Sequence, residues 1–153
     1  SSTLTYQSTD LPDVVAGQDL WQNVYTFAGA LEKFGGLTVY FDYTLHANLS
    51  VTASPSELTP TLTQPDADLT SPGVLSLATD LDQSPSYTAN VTITFVSTGP
   101  VPKTQVYEIF DANFNILETG TAIQTPVPEP ASALTLGLGS LALLALRRRH
   151  ASI

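Results

Sequence analysis

Two pairs of aspartates are the side chains of this sequence best spaced to bind a metal ion. Asp66 and Asp68 lie in the segment QPDADL, and Asp80 and Asp82 lie in TDLDQ. In a loop, carboxylates two positions apart can face one cation, and Ca²⁺ accepts about six to eight oxygen ligands. Neither segment has the glycine and distal glutamate of an EF-hand loop. We therefore expect solvated turn acids and no cofactor, with a Ca²⁺ site at these four residues as the alternative.

Residues that can carry catalysis are scarce in this sequence. His46 is the one histidine before residue 131, and the chain has no cysteine and no Gly-x-Ser-x-Gly segment. A nucleophilic triad needs a base within hydrogen-bond reach of its nucleophile, so we expect His46 to be a solvated loop histidine. A glycosidase needs two carboxylates on either side of a sugar-binding cleft, and no spacing here supports one. The sequence predicts a protein that is not an enzyme.

Charge divides the chain into an acidic body and a basic end. Residues 1–130 hold all fourteen acidic residues and two lysines, which gives a net charge of −12. A body of this charge will not bind nucleic acid or anionic lipid through its surface. Since the chain lacks cysteine, its core must hold without disulfides. It also lacks methionine, and we expect a signal peptide to have been removed before Ser1.

The body reads as a succession of short strands. Its segments alternate in polarity or are rich in β-branched and aromatic residues, and turn residues separate them about every ten positions. This pattern predicts an all-β domain over residues 1–124, a single antiparallel β-sandwich. Pro60 predicts an edge strand, and residues 43–48 predict a brief helical turn. The predicted strands are 3–7, 21–27, 37–42, 49–53, 57–64, 74–78, 87–96, 105–111 and 116–124.

Three unlike segments follow one another in the last quarter of the chain. Pro128, Glu129 and Pro130 come first, then the uncharged run ASALTLGLGSLALLAL at 131–146, and then Arg147, Arg148 and Arg149. As a helix the run would be about 24 Å long, against a hydrocarbon core of about 30 Å. It predicts a short transmembrane helix, with residues 147–153 as a basic cytoplasmic tail. Residues 125–130 are expected to be a stiff Pro-rich linker.

The order of motif, apolar helix and arginines resembles the PEP-CTERM sorting signal of Gram-negative bacteria. The resemblance implies that an exosortase, a membrane-bound processing enzyme, reads Pro128–Pro130 while the helix transiently anchors the chain in the inner membrane. It also implies an exported, non-enzymatic protein of the cell surface or biofilm matrix, with extracellular polysaccharide as a further partner. The body, with its FDY and YEIFDANFN stretches, is loosely similar to cohesin-like and immunoglobulin-like secreted domains.

Two other functions stay open at this point. The first is a self-assembling extracellular fibre subunit, in which the strand at 1–7 pairs with a neighbour's sheet edge or the apolar tails bundle together. The second is a secreted polysaccharide hydrolase. A plain C-terminal membrane anchor is the simplest alternative reading of the tail.

Overall fold

The computed structural model describes residues 1–127, and its regular elements in that range are all β-strands. No helix in this part of the chain is long and apolar enough to cross a membrane. The helix predicted at 131–146 lies outside the described residues. All nine predicted strands overlap observed ones, which confirms the all-β prediction. The strands are β1 Thr3–Asp10, β2 Asp19–Ala28, β3 Gly36–Phe41, β4 His46–Ala53, β5 Leu58–Thr63, β6 Gly73–Thr79, β7 Thr88–Ser97, β8 Thr104–Phe110 and β9 Ile116–Gln124.

The strands form one continuous hydrogen-bonded sheet in the order β4-β7-β2-β1-β9-β8-β3-β6-β5. The predicted antiparallel sandwich needs correction here, because β1 and β9 pair in parallel and join what would otherwise be two sheets. The contact comprises two residue pairs, Thr5 with Ile123 and Tyr6 with Gln124. On its other side, β1 pairs with β2 in an antiparallel manner, and β9 pairs in the same way with β8. The sheet therefore curls around its core in a barrel-like manner.

Alternation along the strands puts the large apolar side chains on the inner face. In β7, Val91, Ile93 and Phe95 are buried, while the threonines between them point outward. Aromatic contacts cross the interior from one half of the sheet to the other. The rings of Tyr25 in β2 and Phe41 in β3 meet edge-on with centroids 6.2 Å apart. The alternation of apolar and polar residues predicted for these strands therefore reflects one core that both halves of the sheet share.

A chain of buried polar groups also joins the two halves. Ser8 donates to Asn23 Oδ1 at 2.7 Å, and Asn23 Nδ2 donates to the Tyr25 hydroxyl at 2.9 Å. That hydroxyl donates to Gln105 Oε1 in β8, and Gln105 Nε2 donates to the carbonyl of Tyr40 in β3 at 3.1 Å. Burial raises the pKa of Tyr25 far above its ordinary value, so the phenol stays protonated. Each buried group thus has a partner, which removes the cost of an unpaired polar atom.

The curl brings the two edge strands together, and one side chain links them. Gln64, directly after β5, accepts from Leu49 N and donates to Leu49 O, each at 2.7 Å. Asn48, with φ of +51°, lies at an irregularity in β4 where its register against β7 shifts. The Gln64 amide therefore pairs with the backbone of β4 as a neighbouring strand would. Pro60 lies in β5 at the sheet edge, as predicted.

His46 departs from the prediction of a solvated loop residue. It begins β4 and is 1% exposed, with its ring against Phe95 at 4.8 Å and Phe41 at 5.2 Å between centroids. The turn predicted at 43–48 covers only residues 43–45, because His46 already belongs to β4 and pairs with Ser97 of β7. Its Nδ1 lies 3.0 Å from the Asp42 carbonyl, and Nε2 has no hydrogen-bond partner among residues 1–127. Burial lowers the pKa of His46.

Replacing Gln64 by Ala tests the link between the edge strands. The variant loses two hydrogen bonds to Leu49 and should lose about 1–2 kcal/mol in the free energy of unfolding. The adjacent, exposed Thr63 is the matched control, and Thr63→Ala should change stability by less than about 0.5 kcal/mol. Denaturant titration measures both. Equal losses in the two variants would show that Gln64 does not join the edges.

The buried His46 predicts a loss of stability at mildly acidic pH. Since its folded pKa is lowered, the unfolded chain takes up a proton first as pH falls through the ordinary value of about 6.5. The contribution of His46 to the free energy of unfolding is therefore fully present above that pH and decreases as the pH falls below it. Unfolding free energies at pH 7.5 and 5.5 should differ in the wild type and in His150→Gln, but not in His46→Phe. If His46→Phe lost as much unfolding free energy between pH 7.5 and 5.5 as the wild type, this account would be contradicted.

Candidate functional site

A cleft of about 500 Å³ opens beside the turn between β3 and β4. Its walls include Tyr40 and Tyr43, the prolines Pro72 and Pro102, and the amide of Gln105. Small-molecule sites commonly have volumes of about 300–1,000 Å³ and mix apolar walls with a few polar groups. The cleft therefore has the size and lining of a binding site.

The chemistry available in the cleft does not include a pair of carboxylates. Among the described residues that line it, Asp42 is the single carboxylate. Hydrogen bonds from the hydroxyl and amide of Thr44, at 2.7 and 2.8 Å, lower the pKa of Asp42, so this acid stays ionised. Because glycoside hydrolysis needs a protonated acid and a second carboxylate, the described lining does not provide the groups of a glycosidase. His46 also lines the cleft, but neither ring nitrogen is hydrogen-bonded to a nucleophile in this part of the chain.

The structure places the four predicted Ca²⁺ candidates in two different loops. Asp66 Oδ1 accepts from the backbone nitrogens of Asp68 and Leu69, at 2.9 and 3.1 Å, and so stabilises its own turn. Asp82 Oδ1 accepts from Lys33 N at 2.8 Å and ties the loop after β6 to the one before β3. Neither pair joins a group of three metal-binding side chains within residues 1–127. The expectation of solvated turn acids at these residues, with a Ca²⁺ site as the alternative, stays a prediction.

Another group of acids comes together where the sequence did not suggest it. The carboxylates of Asp10, Asp13 and Asp19 lie within 4.8 Å of one another, and all three residues are exposed. They meet because β1 and β2 form a hairpin in which Asp10 pairs with Trp21, so both strand ends and the loop are adjacent. A loop with acids at both of its ends, between two predicted strands, was the signal available in the sequence. Exposed acids in such a loop are common without a bound ion.

The point where the tail leaves the domain is well defined. β9 ends at Gln124, whose nitrogen donates to Lys103 O at 2.9 Å, and Thr125 N donates to Tyr6 O at 2.8 Å. Pro126 and Val127 then separate Thr125 from Pro128. The predicted sorting residues Pro128, Glu129 and Pro130 and the arginines 147–149 lie outside the described residues.

Known proteins resemble this chain in two respects. A solved structure, the non-cellulosomal cohesin from the hyperthermophilic archaeon Archaeoglobus fulgidus, is similar at 14% identity and a TM-score of 0.42, covering 82% of this chain and 91% of that one. Comparison with curated proteins gives no match. Residues 126–149 match the PEP-CTERM protein-sorting motif. The chain therefore carries a PEP-CTERM sorting signal directly after its β-domain, the mark of an exported protein sorted through a membrane by an exosortase.

Proposed function

We propose that this chain is a non-enzymatic structural protein of the cell surface or biofilm matrix of a Gram-negative bacterium. An exosortase processes it near Pro128–Pro130 after export. The observation that carries this proposal is the match of residues 126–149 to the sorting motif, directly after the last hydrogen-bonded residue of the domain.

The tail has the parts that such processing needs. The uncharged run at 131–146 would hold the chain in the inner membrane, and Arg147–Arg149 would stay in the cytoplasm by the positive-inside rule. Pro128–Pro130 would then lie at the outer surface of the membrane, within reach of a membrane-bound enzyme. A GPI signal works by the same logic, because its apolar tail retains the substrate until the tail is removed.

The outward faces of β1, β2 and β7 support a matrix role with neutral polysaccharide as partner. Thr5, Thr26 and Asn90 form one row across these strands, and Thr26 donates to Asn90 Oδ1 at 2.9 Å. The neighbouring rows also hold uncharged side chains, whereas nearly all acids of the described body lie in loops or at strand ends. A surface of hydroxyls and amides suits a neutral, hydroxyl-rich polymer, and it offers no acid–base pair for hydrolysis.

The described residues do not favour the alternative functions. A fibre formed by exchange of the first strand would require β1 to be free, but β1 lies between β2 and β9. Bundling of the tails concerns residues outside the described part of the chain. A hydrolase would need the second carboxylate that the described lining of the cleft does not supply.

Two tail variants should fail in different ways if the proposal holds. Glu129→Ala keeps the apolar run, so the protein should reach the membrane and accumulate there uncut. Replacing Leu141, Leu143 and Leu144 by Asp should prevent insertion, since three carboxylates in the apolar run together cost several kcal/mol. Cell fractionation followed by mass spectrometry distinguishes the two outcomes.

Asp80→Ala is the matched control for Glu129→Ala, because it also removes one carboxylate but lies in an exposed loop of the body. It should be processed at the wild-type rate. Normal processing of Glu129→Ala would rule out the reading of Pro128–Pro130 as the recognised motif.

A further inference from the structure

The cleft beside the turn between β3 and β4 is enclosed by side chains from separate parts of the chain. Tyr40 belongs to β3, Tyr43 to the turn, and Pro102 to the segment before β8. Tyr40 is bonded to β8 at two points, because its hydroxyl donates to Glu108 Oε2 at 2.9 Å and its carbonyl accepts from Gln105 Nε2 at 3.1 Å. The Tyr40 side chain is therefore held in place before any ligand binds.

The turn that carries the carboxylate of the cleft is also tied to the domain. Asp42 O accepts from Leu45 N at 3.1 Å and from His46 N at 3.0 Å. Directly after β7, Thr98 N donates to Leu45 O at 3.1 Å, and the Thr98 hydroxyl donates to Thr44 O at 2.9 Å. The backbone that presents Asp42 is thus ordered in advance, which reduces the entropy lost when a ligand binds.

The Asp42 carboxylate keeps one oxygen free for a ligand. Its bonds from the nitrogen and the hydroxyl of Thr44 both end on Oδ1, so Oδ2 has no partner among residues 1–127. Neither Lys33 nor Lys103 lines the cleft. Because burial lowers the pKa of His46, this imidazole is neutral near pH 7. The described lining of the cleft therefore carries a net negative charge.

The lining selects a ligand of positive charge. A carboxylate in a partly enclosed site attracts cations and repels anions, and tyrosine rings attract cations through their π-electrons. A metal ion is poorly served, since Ca²⁺ takes about six to eight oxygen ligands and the described lining has one carboxylate. We infer that the cleft binds an organic ammonium ion, with its nitrogen at Asp42 and its hydrocarbon part against Tyr43, Tyr40 and Pro102.

The size of the cleft suits an ammonium group on a small molecule or on one sugar unit. A volume of about 500 Å³ lies within the range of sites that enclose ligands of this size. An aliphatic amine and an amino sugar offer the same cation to Asp42, and they differ only in the body that carries it. Binding at this cleft does not depend on processing of the tail.

Two pairs of ligands that differ in charge but little in shape test the inference on the unmodified protein. Butylammonium is compared with butanol, and glucosamine with glucose, by titration of the full chain in detergent micelles near pH 7. Amide chemical shifts of Thr44 and Leu45 report binding at the cleft. The charged member of a pair should bind at least about tenfold more tightly, because its hydrogen bond to the carboxylate is charge-assisted.

The two pairs also distinguish the two sources of the ammonium group. A tenfold preference in the aliphatic pair alone assigns the cleft to small amines, whereas a preference in the sugar pair assigns it to amino sugars. Equal affinities within both pairs, or shifts confined to residues away from the cleft, overturn the inference.

Replacing Asp42 by Asn removes the charge but keeps an oxygen that can accept from Thr44. Its affinity for butylammonium should fall about tenfold, to that of butanol. Asp80→Asn is the matched control, because it removes one charge from an exposed residue after β6, whereas Pro72 of the cleft precedes that strand. The control should bind within about twofold of the wild type. If Asp42→Asn bound butylammonium as tightly as Asp80→Asn, the inference would be wrong.

The half-buried Tyr43 provides a test of the aromatic wall. Tyr43→Leu should weaken binding of butylammonium about threefold or more, since it removes the ring that faces the cation. Tyr43→Phe keeps the ring and should bind as the wild type does. Equal affinities in these two variants would contradict the placing of the ligand against Tyr43.

Discussion

The contact between the first and last strands is the interaction on which both the fold and the proposed function depend. Two residue pairs and the bond from Thr125 N to Tyr6 O join β1 to β9. Through them the two halves of the sheet become continuous and enclose one core. The same contact fixes the position from which the sorting signal leaves the domain. A domain without disulfides thus uses one short parallel ladder both to join the two halves of its sheet and to hold the strand from which its tail departs.

The polar groups of the described body are divided between a solvated surface and a hydrogen-bonded interior. Most acids of the body lie in loops or at strand ends, where water solvates them and their repulsion costs little. In the interior, hydroxyl and amide groups from Ser8 to Gln105 satisfy one another. His46 is the exception, because its Nε2 has no partner among residues 1–127. The buried imidazole therefore makes stability sensitive to mild acid.

The strands of this fold could be predicted from the sequence, whereas several of its long-range contacts could not. Alternation identified the inward faces of β3 and β7, because burial on one side of a sheet imposes a period of two. It carries no information on which strands meet, so the parallel β1–β9 contact was missed. The acids Asp10, Asp13 and Asp19 escaped notice for the same reason, since hairpin register brings them together. His46 was misjudged because its burial depends on Phe95 of β7, which is distant in the chain, as well as on the nearby Phe41.

The central claim is that the tail delivers the domain and is then removed. The intact mass of the mature protein, isolated from native cells away from the inner membrane, tests it most directly. The account predicts a mass that includes residues 1–124 but lacks Arg147–Arg149 and the apolar run before them. A mature protein that still carries the three arginines would contradict the account and make the apolar helix a permanent part of the product.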